Sequence, residues 1–157
     1  AGMVRQLQPW IADIPKRQVK APRVFLRDSG LLHALLSIPD LAALRVHPAL
    51  GASWQGAVTE WIVAAKRSRK AWFWATHTGA GLDLLLFEGG KPYGFELVHS
   101  DAPRTTRAMR SAIRDLALRH LWIVHPGLRT RTLDAGITAL SIQDLPDLLA
   151  GPLARGD

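Results

Sequence analysis

The sequence predicts an α/β domain with a mixed central sheet flanked by helices. Three observations lead there. From Ala52 to about Arg69, apolar Trp54, Ala57, Val58, Trp61, Ile62 and Ala65 recur at helical spacing on one face. Three short apolar strands follow: AWFWAT (71–76), LDLLLF (82–87) and PYGFELV (92–98). A Gly-Gly turn joins the last two into an antiparallel hairpin. A second helix within residues 100–121 and a buried strand, LWIVHPG, complete the order helix, three strands, helix, strand.

The remaining elements are shorter. VRQLQPW reads as a strand, and IADIPKRQVKAP, with two prolines, as a turn. RVFL (23–26) reads as a strand. Asp28 or Ser29 caps a short helix, GLLHALLSI, stopped by Pro39, and residues 40–46 add one more turn. KRSRK closes the first long helix, where cations meet the negative end of its dipole. The second long helix has its capping region around Ser100 to Thr105. GITALS reads as a last strand and IQDLPDLL as a short helix. The expected division is an N-terminal segment, 1–22, a main domain, 23–150, and a flexible tail, 151–157. Ala1 and Gly2 ahead of Met3 read as a cloning remnant.

A chain of 157 residues, 48% of them hydrophobic, suits one domain with a real core. No apolar run is long enough to span a bilayer, and no secretory signal is evident. The absence of cysteine excludes disulfides and thiolate metal sites and fits a cytoplasmic protein. The net charge is +7, with arginine well ahead of lysine. GC-rich coding is one cause; a phosphate-bearing partner is another. There is no G-x-S-x-G, no catalytic cysteine and no glycine-rich dinucleotide motif.

Asp83 and Glu96 stand on the two arms of the hairpin. Two carboxylates on neighbouring strands can hold Mg²⁺ against a phosphodiester, polarising it and helping to ionise a water. A lysine beside them would stabilise the charge of the transition state. That lysine would fall at Val98. Asp83 lies inside a strongly apolar strand, so its charge needs a hydrogen bond, a cation or a metal.

Arg107, Arg110 and Arg114 line one flank of the second long helix, away from Met109, Ile113 and Leu116. Such a stripe is either a solvated face or a phosphate-contacting one. Arg67, Arg69 and Lys70 would extend it. Trp54 and Trp61 are expected in the core, and Trp72 and Trp74 to pack if both sheet faces are covered. The six histidines show no metal-ligand spacing, and His77 and His99 fall near the hairpin pocket.

KRQVKAPRVFLRDSGLLHALLSI (16–38) resembles the opening of the C-terminal domain of a large family of prokaryotic AAA-type ATPases, a domain of unknown function. Lys20, Pro22, Arg23, Val24, Phe25, Asp28, Ser29, Gly30 and Leu31 carry the likeness. HPALGASWQGAVTEWI and THTGAGLDLLLFEGGKPYGFELVHS resemble the family's next blocks, so the resemblance covers about residues 5–147. It implies a restriction-endonuclease-like core with a PD-(D/E)xK-type site, and a winged-helix-like element whose tail would be residues 1–22. It also implies an ATPase domain upstream with a phosphate-binding loop. No such loop occurs here, so this chain is not expected to hydrolyse ATP by that route.

Position by position, the resemblance places Gln55 at the helix acid and Gly81 at an acid ahead of the hairpin aspartate. Asp83 and Glu96 are retained, and Val98 replaces the lysine. The expected site is therefore degenerate. Losing one preorganised charge costs about 3–4 kcal/mol of transition-state stabilisation. The first reading is a non-catalytic domain that binds DNA, its own ATPase domain or another subunit, with Arg104, Arg107, Arg110 and Arg114 on phosphate. The second is a Mg²⁺-dependent nuclease rescued by a migrated cation from Arg104, Arg107 or Arg110. The third is a regulatory or oligomerisation domain.

Overall fold

The structure is a computed structural model describing residues 3–68 and 70–156. Ala1, Gly2, Arg69 and Asp157 lie outside the described residues, and with them the reading of the first two and Arg69's share of the basic surface.

Among the described residues the chain forms eight strands and five α-helices. In order these are β1 (Val4–Pro9), β2 (Arg23–Leu26), α1 (Ser29–Leu35), α2 (Leu41–Arg45), α3 (Leu50–Ala65), β3 (Ala71–Ala75), β4 (Gly81–Glu88) and β5 (Lys91–Leu97). Then come α4 (Arg107–Leu116), β6 (His120–His125), β7 (Arg131–Asp134), β8 (Ile137–Ser141) and α5 (Leu145–Leu149). The strands make one mixed sheet in the order β2-β1-β3-β4-β5-β6-β8-β7. β3, β4 and β5 form an antiparallel meander; β6 runs parallel to β5, and β8 parallel to β6. Residues 1–22, set apart in the sequence reading, supply β1 to the same sheet, where it runs parallel to β3.

Helices cover both faces. On one, Val58, Ile62 and Val63 of α3 and Leu145 and Leu149 of α5 pack on Phe73, Leu84, Phe95 and Trp122. On the other, Met109, Ala112 and Leu116 of α4 pack on Trp74, Leu82, Leu85 and Ile123. Every residue of β6 is buried, as a central strand covered on both sides requires. Each fully buried side chain of this kind contributes about 1.5–3 kcal/mol. Arg5 of β1 and Arg27 both bond Glu60, tying the sheet edge to α3. No helix among the described residues is long and apolar enough to cross a membrane.

The structure corrects several sequence expectations. The helix period of α3 is as read, but its phase is rotated. Ser53, Gly56, Val58, Thr59, Ile62 and Val63 face the core, while Ala57 and Ala65 are exposed and Trp61 is 42% exposed. At Gly56 the helix lies against β2: a Cβ there would meet the Phe25 ring at 3.7 Å, an ordinary contact. The second long helix is shorter than the sequence segment. Thr106 accepts the Met109 N–H as its N-cap, and Ala117 ends it with left-handed backbone. β7 is an additional edge strand, too short and polar to show an apolar pattern. In the C-terminal stretch, Leu153 is buried in the core, and its N–H donates to Glu88 Oε1 at 2.8 Å.

Candidate functional site

The two acids meet at a break in the sheet's regularity. Trp72 pairs with Leu85 and Trp74 with Leu82, so β4 carries one more residue than β3 between those pairs. This bulge breaks alternation: Leu82 packs in the α4 cluster, and Leu84, two residues on, in the α3 cluster. Asp83 is the residue between them. Its carboxylate turns along the sheet toward β5, where Oδ2 accepts the Leu97 N–H at 2.9 Å. The side chain thus takes a ladder bond that the bulge denies to the backbone.

Arg23, at the start of β2, supplies the cation. Its Nη1 lies 3.6 Å from Asp83 Oδ1, and its guanidinium sits 4.2 Å from the centroid of the Phe73 ring. The ring fixes the guanidinium by cation–π attraction and packing. Glu96 completes the cluster from the neighbouring strand β5, beside Asp83. Burial holds the Glu96 carboxyl well above the usual range, and the Asp83 charge raises it further, against a smaller lowering by Arg23. In its protonated form Glu96 can donate to the Asp83 carboxylate, with Arg23 balancing the remaining charge.

The other expected members do not join. Gln55 is half-buried on α3 and forms no hydrogen bond with the pair. Val98 packs against the α4 cluster, and its N–H donates to the Val124 carbonyl. At Gly81 a Cβ would approach the Trp74 carbonyl to 3.2 Å, so an acid there needs the backbone to shift. Among the described residues, no group of three or more His, Asp or Glu side chains could hold a metal ion.

The arginines read as phosphate contacts lie elsewhere and do not reach the acids. Arg110 bonds Asp134 through Nη2 at 2.8 Å and Nε at 3.1 Å, and Arg114 pairs with Asp115. The cation beside Asp83 therefore comes from the opposite end of the sequence, because β1 and β2 add to the meander's open edge. Sequence reading named Arg23 only as part of a motif. The signal that could have found it was Asp83's need for a cation.

Arg107, Arg110 and Arg114 line a groove of about 600 Å³ with Lys16 and the turn at Thr78 to Ala80. Asp115 is shared by Lys16 and Arg114 and held below the usual carboxylate range, chiefly by the Lys16 bond. Arg110 holds Asp134 low in the same way. Arg104 and Arg107 are exposed, and neither makes an ion pair among the described residues. His77 and His99 part company: His77 is exposed beside the groove, and His99 packs edge-on against Trp54 at 5.4 Å.

A mixed sheet with a bulged acid hairpin and a basic helix defines the class of domain. Its family follows from comparison. The profile described as "Domain of unknown function (DUF4143)" matches residues 50–145, and one described as "Domain of unknown function (DUF8612)" matches residues 1–42. The chain belongs to the DUF4143 family. It is 48% identical over 127 residues to two curated relatives, uncharacterized protein Rv2008c of Mycobacterium tuberculosis and uncharacterized protein Mb2031c of Mycobacterium bovis. The match takes in 81% of this chain and 29% of each relative, so the chain spans less than a third of their length. No solved structure matches.

Proposed function

We propose that this is a non-catalytic, restriction-endonuclease-like domain of an AAA-type ATPase, and that it binds DNA through the basic face of α4. The run α3-β3-β4-β5-α4-β6, with β6 parallel to β5, supports the nuclease-like core. Asp83 and Glu96 fall on the paired strands where such a core carries its acids.

The observation that carries the non-catalytic reading is the engagement of Asp83. One of its oxygens accepts the Leu97 N–H and the other faces Arg23. Mg²⁺ needs near-octahedral oxygen ligands and few competing cations. A dication here would have to displace Arg23 and compete with the Leu97 N–H for Asp83, beside a Glu96 carboxyl that burial disposes against ionising. Gln55 is a poor ligand, and Val98 offers no charge. The residues do not fit a hard divalent ion, so no hydrolytic step is assigned to them.

DNA binding rests on the arginine stripe and the net charge of +7. The test is fluorescence anisotropy with a labelled duplex across a salt series, beside a plasmid-cleavage assay in Mg²⁺ and Mn²⁺. Binding that weakens steeply with salt, and an intact plasmid, are the expected results. Salt-independent binding, or cleavage abolished by Asp83→Asn, would sink the reading.

A further inference from the structure

The groove along α4 does not end at Lys16. A second groove, of about 450 Å³, begins on the other side of that residue, walled by Arg17, Lys20 and His77. Lys16 lines both, so the two adjoin. We infer that together they form one track for the sugar-phosphate backbone of duplex DNA, with the loop between β1 and β2 supplying half of its cations. This rests on the DNA-binding reading above and extends it to residues that reading does not use.

Charge is the first support. Asp115 and Asp134 answer Lys16, Arg110 and Arg114. Arg17, Lys20 and Arg107 are exposed and make no ion pair among the described residues. Positive charge therefore stands uncompensated at both ends of the track. Such charge binds phosphate by releasing counterions.

Rigidity is the second. A buried amide anchors the loop that carries Lys16, Arg17 and Lys20. Gln18 is 8% exposed; its Oε1 accepts the Ala12 N–H and the Trp74 Nε1–H, each at 2.8 Å, and its Nε2 donates to the Ala12 carbonyl. The Val19 N–H donates to the Ala75 carbonyl, and the His77 N–H to that of Arg17. Lys16 Nζ reaches across to Ser111 Oγ at 3.0 Å and to Asp115, stapling the loop to α4. The backbone that carries these cations, and Lys16 itself, are thus placed before any ligand arrives, which spares part of the ordering entropy of binding.

The walls also indicate the kind of nucleic acid. They contain no Trp, Tyr or Phe, whereas single-strand sites stack bases on such rings. Their one side-chain amide, Gln18, is spent within the fold. With no stacking ring of that kind and no free amide, the track is suited to phosphate, and binding is expected to depend little on sequence.

The experiment compares the wild-type domain, Arg107→Ala and the double variant Arg17→Ala/Lys20→Ala. The probes are two labelled duplexes of unrelated sequence and a single strand of equal length. Both variants alter exposed, unpaired side chains and leave the anchor at Gln18 intact. Each lost contact should reduce the magnitude of the log K against log salt slope by about 0.9, so the double variant should lose about 1.8. Both duplexes should bind alike and more tightly than the single strand. If the double variant matches wild type while Arg107→Ala weakens binding, the track stops at Lys16 and only the α4 face binds DNA. Tighter single-strand binding, a strong preference for one duplex, or no binding by wild type overturns the inference. The last of these overturns the reading beneath it too.

Discussion

Arg23 and Asp83, far apart in sequence, meet with Nη1 3.6 Å from Oδ1, and the same guanidinium covers the Phe73 ring. The contact joins the sheet's edge hairpin to its central meander. The arginine serves as a fixed structural counter-charge.

Removing it should destabilise the domain. Arg23→Ala leaves a half-buried carboxylate without its counter-charge, at an expected cost of about 1–3 kcal/mol. The Arg23 side chain is 38% exposed, so solvent screening favours the lower end. Arg23→Lys keeps the charge but loses the planar packing on Phe73 and should fall between. Urea unfolding of the two single variants and of Arg23→Ala/Asp83→Asn gives the coupling. A cycle that closes with no coupling would remove the pair from the account.

The pH dependence follows from Glu96. Its carboxyl is raised in the folded state, so the native protein holds this proton more tightly than the unfolded chain does. Its stabilising contribution is complete below the ordinary carboxyl value of 4.5 and is lost as pH rises through the raised folded value. Glu96→Gln, which cannot ionise, should therefore gain melting temperature over wild type as pH increases, with little difference in acid. A difference that stays flat or shrinks with pH would contradict the shared-proton arrangement.

Gln18 should matter more than a loop residue ordinarily does. Gln18→Ala strips the partner from the buried Trp74 Nε1–H and from the Ala12 N–H, at an expected cost of about 2 kcal/mol. Hydrogen exchange across residues 12–20 should accelerate. Unchanged exchange would mean that the sheet alone holds the loop.

A lysine introduced at Val98 should not create metal-dependent cleavage. Val98→Lys puts an ammonium on a residue that packs in the α4 cluster, while Arg23 still engages Asp83 and an acid at Gly81 would still need the backbone to shift. The expected result is no metal-dependent cleavage and a loss of about 1 kcal/mol from the apolar contacts of Val98. Robust cleavage by this variant would show that a single residue separates the domain from catalysis.

Much of the architecture was legible in the sequence because it is written in local patterns. The Gly89–Gly90 turn, with both residues at positive φ, and the apolar arms beside it dictate the β4–β5 hairpin. Asp28 accepts the Gly30 and Leu31 N–H groups, as its place before an apolar run suggests. The face of α3 was misjudged because Ala57 and Trp61 look as apolar as Val58 and Ile62. The buried side is the one from which Val58, Ile62 and Val63 pack into the core. Asp83 and Glu96 were visible as a pair, and Asp83's need for a partner was clear from its strand. The identity of that partner was not, since it depends on where β2 joins the sheet. The loop cations were hidden for the same reason: nothing local in IADIPKRQVKAP tells that Lys16 reaches α4.

The most direct test of the central claim is a thermal-shift titration of wild-type domain with Mg²⁺ and Mn²⁺ at constant ionic strength, beside Asp83→Asn. A cation that binds the folded state raises the melting temperature by mass action, by about 2.7 kcal/mol at a hundred times its dissociation constant. With Arg23 and the Leu97 N–H engaging Asp83, wild type and variant should both show no saturable shift. A saturable rise in wild type that vanishes in Asp83→Asn would make the acid pair a metal site and contradict the account.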